Sequence, residues 1–152
     1  MKKTENQRFA DQVANGHFPE SSMVPLDDTF EDTRGVINNL LLSPITSVAR
    51  ISSKKGTVRA NHYHLTDWHY AFVEIGEIYY FEREIGSTAI PEPSRIQPGT
   101  MFFTPPNVEH AMLFTKDTVF FTFAKNVRSH DSHESDLVRV SFITDNIASR
   151  FL

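Results

Sequence analysis

The sequence predicts an all-β barrel or sandwich, on three observations. Thirteen phenylalanines against one tryptophan supply flat rings for an interior, and eight prolines with six glycines in 152 residues supply many turns. From Val24 onward, short apolar runs rich in Val, Ile, Phe and Tyr alternate with turn signals, the rhythm of closely spaced strands. No stretch keeps a 3.6-residue apolar period long enough for a major helix, the last few residues excepted.

In chain order, residues 1–24 form a polar N-terminal arm holding Asp11, Asn15-Gly16, Pro19-Glu20 and Ser21-Ser22. A short helix is expected around Arg8 to Ala14, and the arm is expected to lie on a neighbouring subunit. Residues 25–152 are read as one barrel domain, the length being too small for two full cores. Strands are expected at Val36-Ile37, Leu40 to Leu42, Val48 to Ile51, Tyr70 to Ile75 and Glu77 to Arg83. Further strands are expected at Thr100 to Thr104, Ala111 to Thr115, Thr118 to Ala124 and Leu137 to Thr144. Gly76, between two such runs, reads as a hairpin turn needing positive φ. Residues 86–98 hold three prolines and read as a longer excursion, and the polar stretch Ser129 to Asp136 as a solvated loop. Phe102-Phe103 and Phe120-Phe121-x-Phe123 are expected to put core on one face and a subunit interface on the other.

Several function classes are excluded at this level. Without cysteine there are no disulfides, thiolate metal sites or cysteine nucleophiles. A net charge of -4 does not suit a protein gripping nucleic-acid phosphates or an anionic membrane. No run approaches the ~18 apolar residues of a membrane span. Met1-Lys2-Lys3 is not followed by an apolar stretch, so a cytoplasmic protein is expected. No glycine-rich phosphate loop and no Gly-x-Ser-x-Gly elbow occurs.

The chemistry gathers on histidines. His62-x-His64 lies on an apparent strand, where alternation puts both imidazoles on one face. His69 follows five residues later, and His110 stands just before another strand, after Pro105-Pro106-Asn107. Imidazoles from neighbouring strands can close around one divalent ion, and they suit Zn, Ni, Cu and Fe.

These residues resemble a known family. Gly56-x5-His62-x-His64-x4-His69-x6-Gly76 is similar to the first cupin motif, and Gly99-x5-Pro105-x4-His110 to the second. The resemblance implies a double-stranded β-helix (jelly-roll) cupin barrel. It implies one divalent metal ion (Fe, Ni, Zn or Mn) on His62, His64, His69 and His110. Cupins usually carry glutamate where this chain has His69, glycine where it has Asn107 and asparagine where it has Phe114. An all-histidine set lacks a negative ligand, and Glu74 or Glu77 is the expected nearby carboxylate. Upstream, Asp32-x-Arg34-Gly35, then Pro44-Ile45-x2-Val48 and Gly56 to Ala60, resemble the sugar-nucleotide cupins, the dTDP-sugar ketoisomerases and their relatives. There Ala60-Asn61 intervenes between Arg59 and His62.

The resemblance implies an isomerase or epimerase working on a carbohydrate or sugar-nucleotide substrate, in a homodimer. In that reading His62 is catalytic, Tyr79 or Tyr70 returns a proton, and Arg59 forks onto a substrate anion. Arg34, Trp68 and Tyr70 are the expected substrate-binding residues. Two alternatives are carried. One is a non-haem iron dioxygenase or lyase on a small organic acid, and the other a non-catalytic small-ligand-binding cupin. His130 and His133 are assigned to the solvated loop.

Overall fold

The computed structural model describes all 152 residues. The chain opens with helix α1 (Glu5–Ala14) and a hairpin of β1 (Thr29–Asp32) and β2 (Gly35–Asn38). There follow β3 (Ser47–Ser53), β4 (Val58–His64), β5 (His69–Ile75), β6 (Ile78–Glu84) and β7 (Ser94–Ile96). Then come β8 (Met101–Thr104), β9 (Val108–Phe114) and β10 (Thr118–Ala124). The short helix α2 (His130–Ser135), β11 (Leu137–Arg139), helix α3 (Asp145–Ala148) and a 3₁₀ turn (Ser149–Phe151) close the chain. Two antiparallel sheets face each other, one ordered β3-β10-β5-β8 and the other β11-β4-β9-β6-β7. This is the expected all-β jelly-roll barrel.

Period-2 alternation builds the interior. Along β10, Thr118, Phe120, Thr122 and Ala124 are buried, whereas Val119, Phe121 and Phe123 are half-buried. Phe120 joins Ala71, Val73, Ile78, Tyr80, Phe102, Met112 and Phe114 in the core between the sheets. Burying each such ring or branched side chain contributes about 1.5–3 kcal/mol. Phe103 faces the other way, into a second cluster under α1 with Phe9, Val13, Trp68 and Tyr70. A third cluster seats Phe142, Ile143 and Ala148 against Phe81, Ala111 and Leu113 on the outside of the five-stranded sheet.

Five expectations of the fold need correction, one being the strand expected over Leu137 to Thr144, which stops at Arg139. The arm does not reach away: Thr4 and Gln7 form a capping box, Asp27 accepts from the amides of Glu5 and Asn6, and Phe9, Ala10 and Val13 bury against the chain's own barrel. Leu40 to Leu42 form no strand, Leu40 and Leu41 instead packing against that same cluster. Residues 129–136 are not a loop, because Ser129 caps α2 by accepting from the Ser132 amide. Gly76 has the expected positive φ of 97° but makes no hairpin, since β5 and β6 belong to different sheets. A Cβ there would overlap the Asp117 carbonyl and Thr118, so the crossover requires glycine for space as well as for φ.

One irregularity positions the site. Ala60 and Asn61 both have positive φ, 66° and 57°, and the β4–β9 register slips between Ala60 opposite Ala111 and His62 opposite His110. This is a β-bulge, one extra residue on one strand. Arg59 lies opposite the inward Met112, so simple alternation would turn residue 62 outward. The bulge resets the phase and turns His62 and His64 inward. Asn61 holds it. Its side chain donates to the Ile143 carbonyl and accepts from the Ile143 amide, both at 2.9 Å, and its carbonyl accepts from Val140 and Ser141.

Candidate active site: a histidine-lined cavity at the barrel mouth

A cavity of about 310 Å³ opens between the two sheets, and it contains His62, His64, His69 and His110. The first two come from β4 and His110 from β9, directly opposite His62. His69 begins β5 on the facing sheet. All four are nearly inaccessible, at 7%, 2%, 7% and 0% exposure. The ring centroids of His62 lie 4.8 Å from His64 and 4.9 Å from His110, and His64 lies 5.5 Å from His110 and 5.6 Å from His69.

Burial dominates the electrostatics. Removal from water pushes His62 down to about 2, His110 to about 3 and His64 to about 4, and it holds His69 well below the ordinary imidazole range. Their mutual repulsion adds to the shift for His62 and His69. The four rings are therefore neutral at physiological pH. His110 Nδ1 lies 3.0 Å from the Val108 carbonyl, which fixes its proton there and leaves Nε2 as the acceptor.

The rings fit a divalent ion. One ligand atom from each of His62, His64 and His110 lies within 4.8 Å of the others. His62 Nδ1, His64 Nδ1 and His110 Nε2 are all buried without a hydrogen-bond partner, an arrangement that costs free energy unless something accepts those lone pairs. His69 falls outside this trio of converging ligand atoms, although its ring borders those of His64 and His110.

The expected carboxylates are elsewhere. Glu74 is exposed, and Glu77 is held by the Arg95 guanidinium and the Thr115 hydroxyl, both at 2.6 Å. Asp67 and Asp136 take that place, each offering an oxygen within 4.8 Å of a His64 nitrogen. Asp136 Oδ2 is 3.6 Å from His64 Nδ1, too long for a hydrogen bond.

Of the other expected site residues, only Arg59 lines the cavity, with its guanidinium donating to the Ser53 hydroxyl and the Ser52 carbonyl. Trp68 and Tyr70 point to the opposite face of the sheet, into the cluster under α1. Tyr79 lies on the outer face of the second sheet, its ring 6.2 Å from that of Phe151. Arg34 sits on the exposed β1–β2 hairpin, ion-paired with Asp32 at 2.6 Å. None of the four borders the cavity. Five residues outside the expected set also adjoin the site, Asp67, Arg128, Asp136, Arg139 and the His133 assigned to the solvated loop. Asp67 could have been found, since it lies in the short turn joining His64 to His69.

No family model matches the chain, and no curated protein matches it. Solved structures do. QdtA, a sugar 3,4-ketoisomerase from Thermoanaerobacterium thermosaccharolyticum in complex with TDP, is 20% identical, covering 82% of this chain and 93% of that one, with a TM-score of 0.56. ChmJ, a 3'-monoepimerase from Streptomyces bikiniensis in complex with dTDP-quinovose, is 16% identical over 78% and 69% of the two chains, with a TM-score of 0.60. The dTDP-4-dehydrorhamnose 3,5-epimerase of Sulfolobus tokodaii is 16% identical over 75% and 80%, with a TM-score of 0.54. At these identities the likeness establishes the architecture: a double-stranded β-helix barrel of the cupin type.

Proposed function

We propose that this barrel is an isomerase or epimerase acting on a sugar-nucleotide type of substrate. One observation carries the reading: the guanidinium-bearing residues Arg59, Arg128 and Arg139 border a cavity whose interior is four neutral imidazoles. Guanidinium forks suit a diphosphate. A neutral imidazole is the form that accepts a proton from carbon beside a keto group. His62 is the base in this reading. None of the four tyrosines lines the cavity, so in this reading the His62 imidazolium formed in the first step returns the proton, rather than Tyr79 or Tyr70. The TDP and dTDP-sugar complexes of the structural neighbours support the substrate class. The test is incubation with a panel of dTDP-keto sugars. Conversion to a positional isomer or epimer is the expected result, and a panel left unchanged overturns the reading.

The partnerless ring nitrogens favour a second element: one divalent ion (Fe, Ni, Zn or Mn) held by His62, His64 and His110. When bound, it supplies Lewis acidity toward a keto or hydroxyl oxygen. Proton acceptance then passes from His62 to His69, a cavity imidazole outside the trio. Stoichiometric iron would favour the dioxygenase or lyase alternative, and tight ligand binding without turnover the non-catalytic one. The same reading takes the protein as a cytoplasmic homodimer. Phe30, Val36 and Ile37 on the β1–β2 hairpin, each more than half exposed, offer apolar surface for the second copy.

A further inference from the structure

The helix α2 has no physical reason in its own sequence to lie where it does. Its six residues, His-Asp-Ser-His-Glu-Ser, include no apolar side chain, and none is fully buried. A helix this short is unstable alone, and it brings no hydrophobic face to the barrel. Five of the six are exposed, and His133 alone is drawn partly inward. The His133 ring lines the same cavity as the four buried histidines, its centroid 5.6 Å from His64 and 6.2 Å from His62. That matches the distance of His69 from His64 on the other side, 5.6 Å.

Both ends of the segment are fastened. Before it, the Arg128 amide donates to the Ser47 hydroxyl, and the Arg128 side chain to the Thr122 hydroxyl. After it, Asp136 accepts from the Thr66 amide and hydroxyl and from the Asp67 amide, and its own carbonyl accepts from the Leu65 amide. Between these anchors α2 spans the cavity mouth with one imidazole turned in.

We infer that α2 is a lid closed by metal ligation, His133 adding an imidazole to the ion on His62, His64 and His110. The inference rests on the ion proposed above. With a metal–nitrogen bond of about 2.0–2.1 Å, imidazoles sharing one ion have centroids roughly 5 Å apart, so His133, at 5.6 Å from His64 and 6.2 Å from His62, must move inward to join the set. Ion binding then orders α2, and α2 in turn limits which open positions a substrate oxygen reaches. His130, three residues earlier and exposed, takes no part.

The test is titration of the metal-free protein with Zn²⁺ by calorimetry, with hydrogen exchange of residues 129–136 followed before and after Zn²⁺. His133→Ala and His133→Gln are expected to keep one ion per chain, weaken binding about 10- to 100-fold and lose the Zn²⁺-dependent protection of 129–136. His130→Ala is expected to match the parent in both. Parent-like affinity and protection in both His133 variants overturns the lid alone, leaving the ion site standing. No Zn²⁺ binding by the parent protein overturns the lid and the ion together, while turnover of keto sugars by that same metal-free protein would leave the isomerase reading intact.

Discussion

The site draws its side chains from two regions that teach opposite lessons. In β4 and β9, the histidines are themselves buried on strands, and their spacing and motif context marked His62, His64 and His110. In the segment from Arg128 to Arg139, the groups at the cavity are carried by a polar helix and a three-residue strand, where neither period nor burial marks them. Strand-borne residues obey alternation on either side of a bulge, so the His62 and His64 pair is legible even though the bulge before it is not. Residues brought over the mouth by a crossing segment depend on where its anchors happen to fall. The His64–Asp136 approach is such a product, set by the hydrogen bonds of Thr66 and Asp67 to Asp136.

The contrast can be broken first at its strongest point. His62→Ala/His64→Ala is expected to lower turnover of the keto-sugar substrate by about 10²–10⁴-fold and to abolish ion binding. Asn61→Ala should come next, because it removes two hydrogen bonds and leaves the Ile143 backbone groups unpaired. A loss of about 2–3 kcal/mol in urea unfolding is expected, with weakened activity as His62 loses its inward phase. On the mouth side, Arg128→Ala and Arg139→Ala should raise KM for an anionic substrate about tenfold with little change in kcat. Arg34→Ala, on an exposed pair outside the site, should change stability and KM negligibly.

Acid sharpens the same comparison. The unfolded imidazoles titrate near 6.5, whereas folded His64 is held at about 4 and His110 at about 3. Below pH 6.5 the unfolded chain takes up protons that the folded chain refuses. Stability is therefore full above 6.5 and falls as pH drops toward 4 and then 3, each group contributing up to about 1.4 kcal/mol per pH unit. Urea unfolding at pH 7, 6 and 5 reads this directly, and the double histidine variant should show a shallower decline.

Most of the barrel was legible because half-buried strands announce themselves by composition and period. The errors about side chains were errors of phase. Once His69 faces in, Trp68 and Tyr70 must face out, and they do, beneath α1. Tyr79 likewise faces out because Ile78 and Tyr80 fill the core. Both follow from alternation alone, so the sequence held the correction. The bulge at Ala60-Asn61 was less accessible. Asparagine tolerates positive φ, but alanine gives no such signal, and the bonds that hold the bulge come from Val140 to Ile143, some eighty residues away. His133 was the least legible, since the pair His130 and His133 in a polar stretch reads as solvated until its neighbours in space are known.

The most direct measurement is proton exchange in D₂O. Incubated with TDP-4-keto-6-deoxyglucose, the protein should place deuterium on the carbon beside the keto group, detected by NMR, and the His62→Ala/His64→Ala variant should not. Exchange at the spontaneous rate with the parent protein, folded and given each of Fe²⁺, Ni²⁺, Zn²⁺ and Mn²⁺ in turn, would contradict the account.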